Sequence, residues 1–154
     1  MLFKALVELE NDQELAEQLL GFVINGQQLE ADAASPSGYR FVPASRFMLD
    51  QIRNRPNTIR SYIGGTPERD YANFDPVNLP LDFPADNSMV GSIRIDNSAE
   101  EEGAGTGRIY IKSTGKDEPT PINMAKNGRG EWKIDLSSLS SIATGVKSAP
   151  VTDF

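Results

Sequence analysis

The residues of this chain whose types could do chemistry are few, and none of them is a histidine or a cysteine. Without imidazole the commonest general base and metal ligand is missing, and without thiol there is no disulfide, no thiolate zinc site and no Cys-His nucleophile. Ser-His-Asp hydrolysis is excluded within the chain. Arg60-Ser61 and Lys112-Ser113 each set a serine beside a cation, but Lys112 and Ser113 are neighbours on a predicted strand and point to opposite faces. Gly115-Lys116 hints at a phosphate loop, yet Tyr110 and Asp117 stand where that motif needs a glycine and a serine or threonine. The glycines from Gly103 to Gly107 follow Glu100, Glu101 and Glu102, which repel a pyrophosphate. The acidic groups Asp117-Glu118, Asp70 with Asp75, and Asp96 with Glu100 to Glu102 lack calcium-loop spacing and read as exposed turn charge. No catalytic residue, metal site or cofactor is implied.

One cluster has a chemistry of its own. Residues 1–39 hold one basic and seven acidic side chains, residues 40–69 hold six arginines and two acids, and residues 70–154 hold eight bases and thirteen acids. A chain of net charge −7 therefore carries a single basic block. Arg46, Arg53, Arg55, Arg60 and Arg69 can offer guanidinium forks to the carboxylates of a partner, with Tyr62 as an aromatic anchor. The opposing expectation is that they pair internally with Asp70, Asp75, Asp117 or Glu118. The overall acidity argues against nucleic acid as a partner. There is no apolar run long enough for a membrane span, and the opening from Met1 to Glu8 reaches acidic residues too soon for a signal peptide, so a cytoplasmic location is expected.

Positioning these residues requires one domain of ordinary size. Leu2, Phe3, Ala5, Leu6 and Leu9 recur at helical spacing. Asn11 or Asp12 can cap a second amphipathic helix whose Leu15, Leu19, Phe22, Val23 and Gly26 share a face. Residues 30 to 43 read as a loop, broken by Pro36, Gly38 and Pro43. A further helix, 44 to 53, places Phe47, Met48 and Ile52 in a stripe and is stopped by Pro56. Residues 57–76 form a shaped connector in which Gly64-Gly65 and Thr66-Pro67 turn the chain between Tyr62 and Tyr71. Strand periodicity follows at 77–83, 89–96, 108–113, 121–126 and 131–136, with Asn127-Gly128-Arg129-Gly130 as a hairpin turn. Residues 137–154 form a serine-rich tail with material for one helical turn. The fold class is α+β: two or three N-terminal helices packed on a curved, mostly antiparallel sheet of about five strands.

The run Arg60-Ser61-Tyr62, Gly64-Gly65-Thr66-Pro67 and Tyr71, then Ser113-Thr114-Gly115, Asp117, Pro119, Pro121-Ile122 and Trp132, resembles a family of bacterial domains of unknown function. Its pattern reads R-S-Y-x-G-A-T-P-x-N-x-Y, then S-G-A-D-S-P-R-P-I-x-L. Gly65 replaces the pattern's alanine, Arg69-Asp70 its asparagine step, Glu118 its serine and Thr120 its arginine. With that arginine gone, no anion-binding role carries over. The resemblance implies a fold and no activity, and the order of elements is similar to cystatin-like and nuclear-transport-factor-like domains. Three functions remain open: a non-enzymatic protein-binding or assembly component, in partnership with another protein or with its own copies; a small-ligand-binding domain or enzyme with a pocket in the sheet's concavity, using Tyr62, Tyr71, Asp75 or Trp132; and an acidic inhibitor or immunity protein.

Overall fold

The computed structural model describes residues 1–77, 90–95, 106–135 and 137–151. Helix α1 (Leu2–Glu8) buries Leu2, Ala5 and Leu6, and helix α2 (Gln13–Val23) starts at Asp12, whose carboxylate accepts from the Leu15 amide at 3.0 Å. That cap satisfies one of the free amides of the first turn. The apolar face expected for α2 is rotated. Ala16 and Leu20 are fully buried, whereas Leu15 and Phe22 are 40% and 46% exposed. The reason lies on the flank of Gly21, where a Cβ would fall 2.5 Å from Ser37 Oγ. Leu15 and Phe22, each about 100° or more round the helix from Gly21 and on the side away from Ala16 and Leu20, face outward.

Ser37 belongs to a hairpin where a loop was expected. Strand β1 (Leu29–Ala31) pairs antiparallel with β2 (Tyr39–Phe41), and the Asp32 amide donates to Gly38 O at 2.9 Å across the turn. Strands of three residues are too short to show a two-residue period. Phe41 is their core contribution, at 1% exposed.

Helix α3 (Pro43–Arg53) begins on proline, and α4 (Pro56–Arg60) does the same, so Pro56 both ends one helix and opens the next. The buried stripe of α3 is Ser45, Leu49 and Ile52, with Met48 partly buried; Phe47 is 66% exposed. A stripe through Phe47 would carry Asp50 and Asn54 inward with it, three and seven residues on, and burying a carboxylate without a cation is prohibitive.

After α4 the connector makes consecutive turns and a short 3₁₀ segment, Pro67–Arg69. Gly64 has φ of +97°, and a Cβ on Gly65 would sit 2.7 Å from Arg60 O and 3.0 Å from Tyr71 O. The absence of a Cβ at Gly65 lets the backbone close at this point. Asp70 and Tyr71 are both left-handed, at φ of 48° and 60°. Such residues cost about 1–2 kcal/mol each. The surroundings hold them there: the Tyr71 amide donates to Thr66 O at 2.8 Å and its side chain is 1% exposed.

Four antiparallel strands follow in sequence order: β3 (Val90–Ile95), β4 (Thr106–Ile111), β5 (Thr120–Lys126) and β6 (Trp132–Ile134). Of the five strands expected, the one at 77–83 lies outside the described residues, apart from an exposed Val77. The last strand is shorter than expected, and its outer edge meets Ile24 in a parallel bridge. The serine-rich tail is a further correction. Residues Ser137–Ala143 form a helix, α5, with Leu139 and Ile142 wholly buried. It packs on β5 and α3, so a helix that follows the sheet in sequence stands between the sheet and the helical half. Ser138 fixes it there, its hydroxyl accepting from the Asn123 amide at 2.7 Å. Among the described residues the architecture is mixed α+β, with five helices, a two-stranded and a four-stranded sheet.

Candidate functional site

The segments around Ser61 to Tyr71 and Ser113 to Gly115 meet in one polar junction. The Gly115 amide donates to Ser113 Oγ at 3.1 Å, Ser113 Oγ donates to Ser61 Oγ at 2.7 Å, and Ser61 Oγ donates to Thr58 O at 2.7 Å. Both serines are 1% exposed. Their hydroxyl protons run in one direction and end on a carbonyl, with no base at hand, so neither serine is an activated nucleophile. Thr114 extends the junction: its amide donates to Ser61 O at 3.0 Å and its hydroxyl reaches Gly65 O. Tyr71 closes it by donating to Lys147 O at 2.6 Å, while the Lys147 amide donates to Gly115 O at 2.9 Å. The hydroxyls and amides here link one backbone segment to the next. The junction locks the connector onto the β4–β5 loop and the segment that follows α5.

Lys116 performs a second structural task. Its Nζ donates to Ser141 O at 2.9 Å, Ile142 O at 3.1 Å and Thr144 Oγ1 at 2.8 Å, and Arg55 Nη1 donates to Ala143 O at 3.3 Å. Two cations thus cover the free carbonyls at the negative end of α5. Burial pulls Lys116 from its ordinary 10.5 down to about 8. Between those two values the unfolded chain keeps a proton that the folded chain has released, so this group's contribution to stability rises with pH through the window. The unfolding free energy of the wild type relative to Lys116→Met should accordingly increase from pH 7.5 to pH 10; a constant difference would contradict this placement of the lysine.

Tyr62 is interior. It is 8% exposed, its ring lies 5.2 Å from that of Phe3, and its hydroxyl pairs with Thr120. Burial raises its phenol to about 12. From the ordinary value of 10 up to 12 the unfolded chain loses a proton that the folded chain retains, so stability falls with rising pH there. In ultraviolet titration a tyrosine step about two units late in the wild type should be lost in Tyr62→Phe, with the separate upward displacement of Tyr71 by burial remaining.

The arginines are mostly placed as braces between elements. Arg60 Nη2 lies 2.9 Å from Glu10 and its guanidinium 4.7 Å from the Phe74 ring; Arg53 Nη1 donates to Gln13 Oε1 at 2.6 Å. Arg46 Nε lies 3.2 Å from Glu17 Oε2, with half of its side chain still in solvent. Arg69 is exposed and its side chain has no hydrogen bond or ion pair among the described residues. The acids that take Arg60 and Arg46 are Glu10, in the turn between α1 and α2, and Glu17 of α2, where Asp70, Asp75, Asp117 or Glu118 were expected. Those partners lie 29 and 50 residues away in sequence, a separation that no local pattern reports.

Exposed apolar groups are the feature that sequence reasoning missed. Phe47 stands out from the middle of α3, flanked on the same solvent-facing arc by Arg46, Asp50, Gln51 and Arg53, all exposed. The signal was present in the sequence, because an α3 stripe through Leu49 and Ile52 fits the helical period as well as one through Phe47. Tyr39 of β2, 45% exposed, precedes the same helix.

A cleft of about 570 Å³ opens elsewhere, between the β4–β5 loop (Gly115 to Pro121) and residues 141–147. None of Tyr62, Tyr71, Asp75 or Trp132 lines it. The two lysines on its wall are already engaged, Lys116 by the α5 carbonyls and Lys147 by Asp117. No group of three or more acidic side chains among the described residues could hold a metal ion, and no helix among them is long and apolar enough to cross a membrane.

The class this defines is a mixed α+β domain whose polar interior is structural and whose distinctive chemistry is on its surface. Over residues 1–150 the sequence matches the family described as a domain of unknown function, DUF6935, and the chain belongs to that family. No curated protein and no solved structure matches it.

Proposed function

We propose that this chain is a protein-binding or assembly component and that the solvent face of α3 is its contact surface. The observation that supports the reading is Phe47, a large aromatic side chain 66% exposed at the centre of a helix and bracketed by arginines. An aromatic anchor beside guanidinium groups is the composition in which binding energy concentrates at protein interfaces. Arg46 and Arg53 each use one donor inside the molecule, which leaves the rest of each fork for a partner's carboxylates. Arg69 belongs to the same basic block. Arg55, Arg60 and Tyr62 are engaged within the molecule, Arg55 on Ala143 O, Arg60 on Glu10 and Tyr62 on Thr120.

A photo-reactive amino acid at Gln51 tests this in living cells. It should give a discrete protein adduct that Phe47→Glu abolishes, while the same probe at exposed Lys112 gives none. Equal, diffuse labelling from both positions would overturn the reading. Phe47→Glu itself should leave the unfolding free energy within about 0.5 kcal/mol of wild type, as for other exposed substitutions.

A further inference from the structure

The solvent arc of α3 is self-complementary in charge as well as apolar at its centre. Arg46 and Asp50 lie four residues apart on one face, about 6 Å along the axis, with Phe47 beside them. Neither charge is saturated. Arg46 has only its Nε on Glu17, and Asp50 accepts only a long 3.4 Å bond from Gln13 Nε2. A guanidinium has five donors and a carboxylate about four acceptor sites.

From this arrangement we infer that the occupant of the α3 face is a second copy of this chain, docked across a twofold axis. Two antiparallel α3 helices crossing near residue 48 set each Arg46 opposite the other copy's Asp50, so the same ion pair forms twice. The two Phe47 rings then meet at the axis and leave water together. Approach from the outer side of α3 disturbs neither Leu49 nor Ile52, which face the core. An interface centred on one helix is smaller than the standard size, so the dimer is of modest affinity.

The inference rests on the α3 reading above but fails separately from it. Sedimentation equilibrium over a range of concentrations should give a mass approaching twice 16.8 kDa for the wild type. Phe47→Glu should weaken association at least tenfold, and so should Arg46→Asp and Asp50→Arg singly. The exchanged double variant, Arg46→Asp with Asp50→Arg, should recover it, because reversing both charges restores the pairing across the axis. Circular dichroism melts on every variant separate lost folding from lost association. A wild type of single-chain mass at all concentrations, or a double variant no better than either single one, overturns the twofold contact. If the cross-link from Gln51 then appears at the mass of a different protein, the α3 surface stands and only the identity of its occupant changes.

Discussion

Replacing Leu139 by alanine should destabilise the protein by about 2–5 kcal/mol, the usual range for emptying a fully buried leucine site. Leu139 is wholly buried in α5, which packs on β5 and on α3. A cavity there loosens the joint between sheet and helices from both sides, and the rigid ends of α5 limit how far it can collapse. One end is tied by Ser138 to Asn123, the other by Lys116 and Arg55 to the last carbonyls. Urea denaturation of wild type and Leu139→Ala measures the difference directly. Were the side chain of Leu139 in solvent, the change would be under about 0.5 kcal/mol, as at other sites without burial.

The second large effect is expected at Gly115. A Cβ there would fall 2.5 Å from Tyr71 Oη and 2.8 Å from Val146 Cβ. Tyr71 has nowhere to retreat, being 1% exposed and held at 2.6 Å to Lys147 O, and Val146 is fixed by the neighbouring bond from the Lys147 amide to Gly115 O. Gly115→Ala should therefore cost about 2–3 kcal/mol through overpacking and the loss of the tyrosine's bond. Tyr71→Phe tests the same joint more gently. Combined with Gly115→Ala it should cost less than the sum of the two, since the clash and the bond share one oxygen. Additive losses would show that the alanine acts elsewhere.

Much of the architecture was legible wherever a local signal existed. Asp12 ahead of an amphipathic run, Pro43 at the start of a helix and Asn127-Gly128-Arg129-Gly130 between strands each encode a structure through their own backbone chemistry. Faces were less legible. The helical period fits more than one stripe in α2 and α3, and the choice is made by contacts distant in sequence: Gly21 against Ser37, and Asp50 kept in water. Helix α5 was legible only as one turn, because serine favours caps and turns locally, whereas Ser138 is buried with its hydroxyl on a strand backbone. The arginine block was visible as composition. Its division into braces and free forks depends on Glu10 and Glu17, which only the folded chain brings near.

The junction between the connector and the β4–β5 loop also has a physical reading. Ser61, Gly65, Tyr71, Ser113 and Gly115 converge on one joint in which hydroxyls and amides are mutually satisfied. Such a joint needs small residues where backbones touch and hydroxyls where carbonyls would otherwise be orphaned. It keeps the sheet, the connector and α5 in fixed relation, and α3 rests on α5.

The central claim, that α3 is covered by another protein molecule when the protein acts, is read most directly by hydroxyl-radical footprinting of Phe47. Oxidation of this ring should be fast in dilute purified protein, where it is 66% exposed, and at least fivefold slower in the concentrated or cellular state, with exposed Tyr39 and Trp132 as internal references. A Phe47 that oxidises at the same rate in both states, relative to those references, would contradict it.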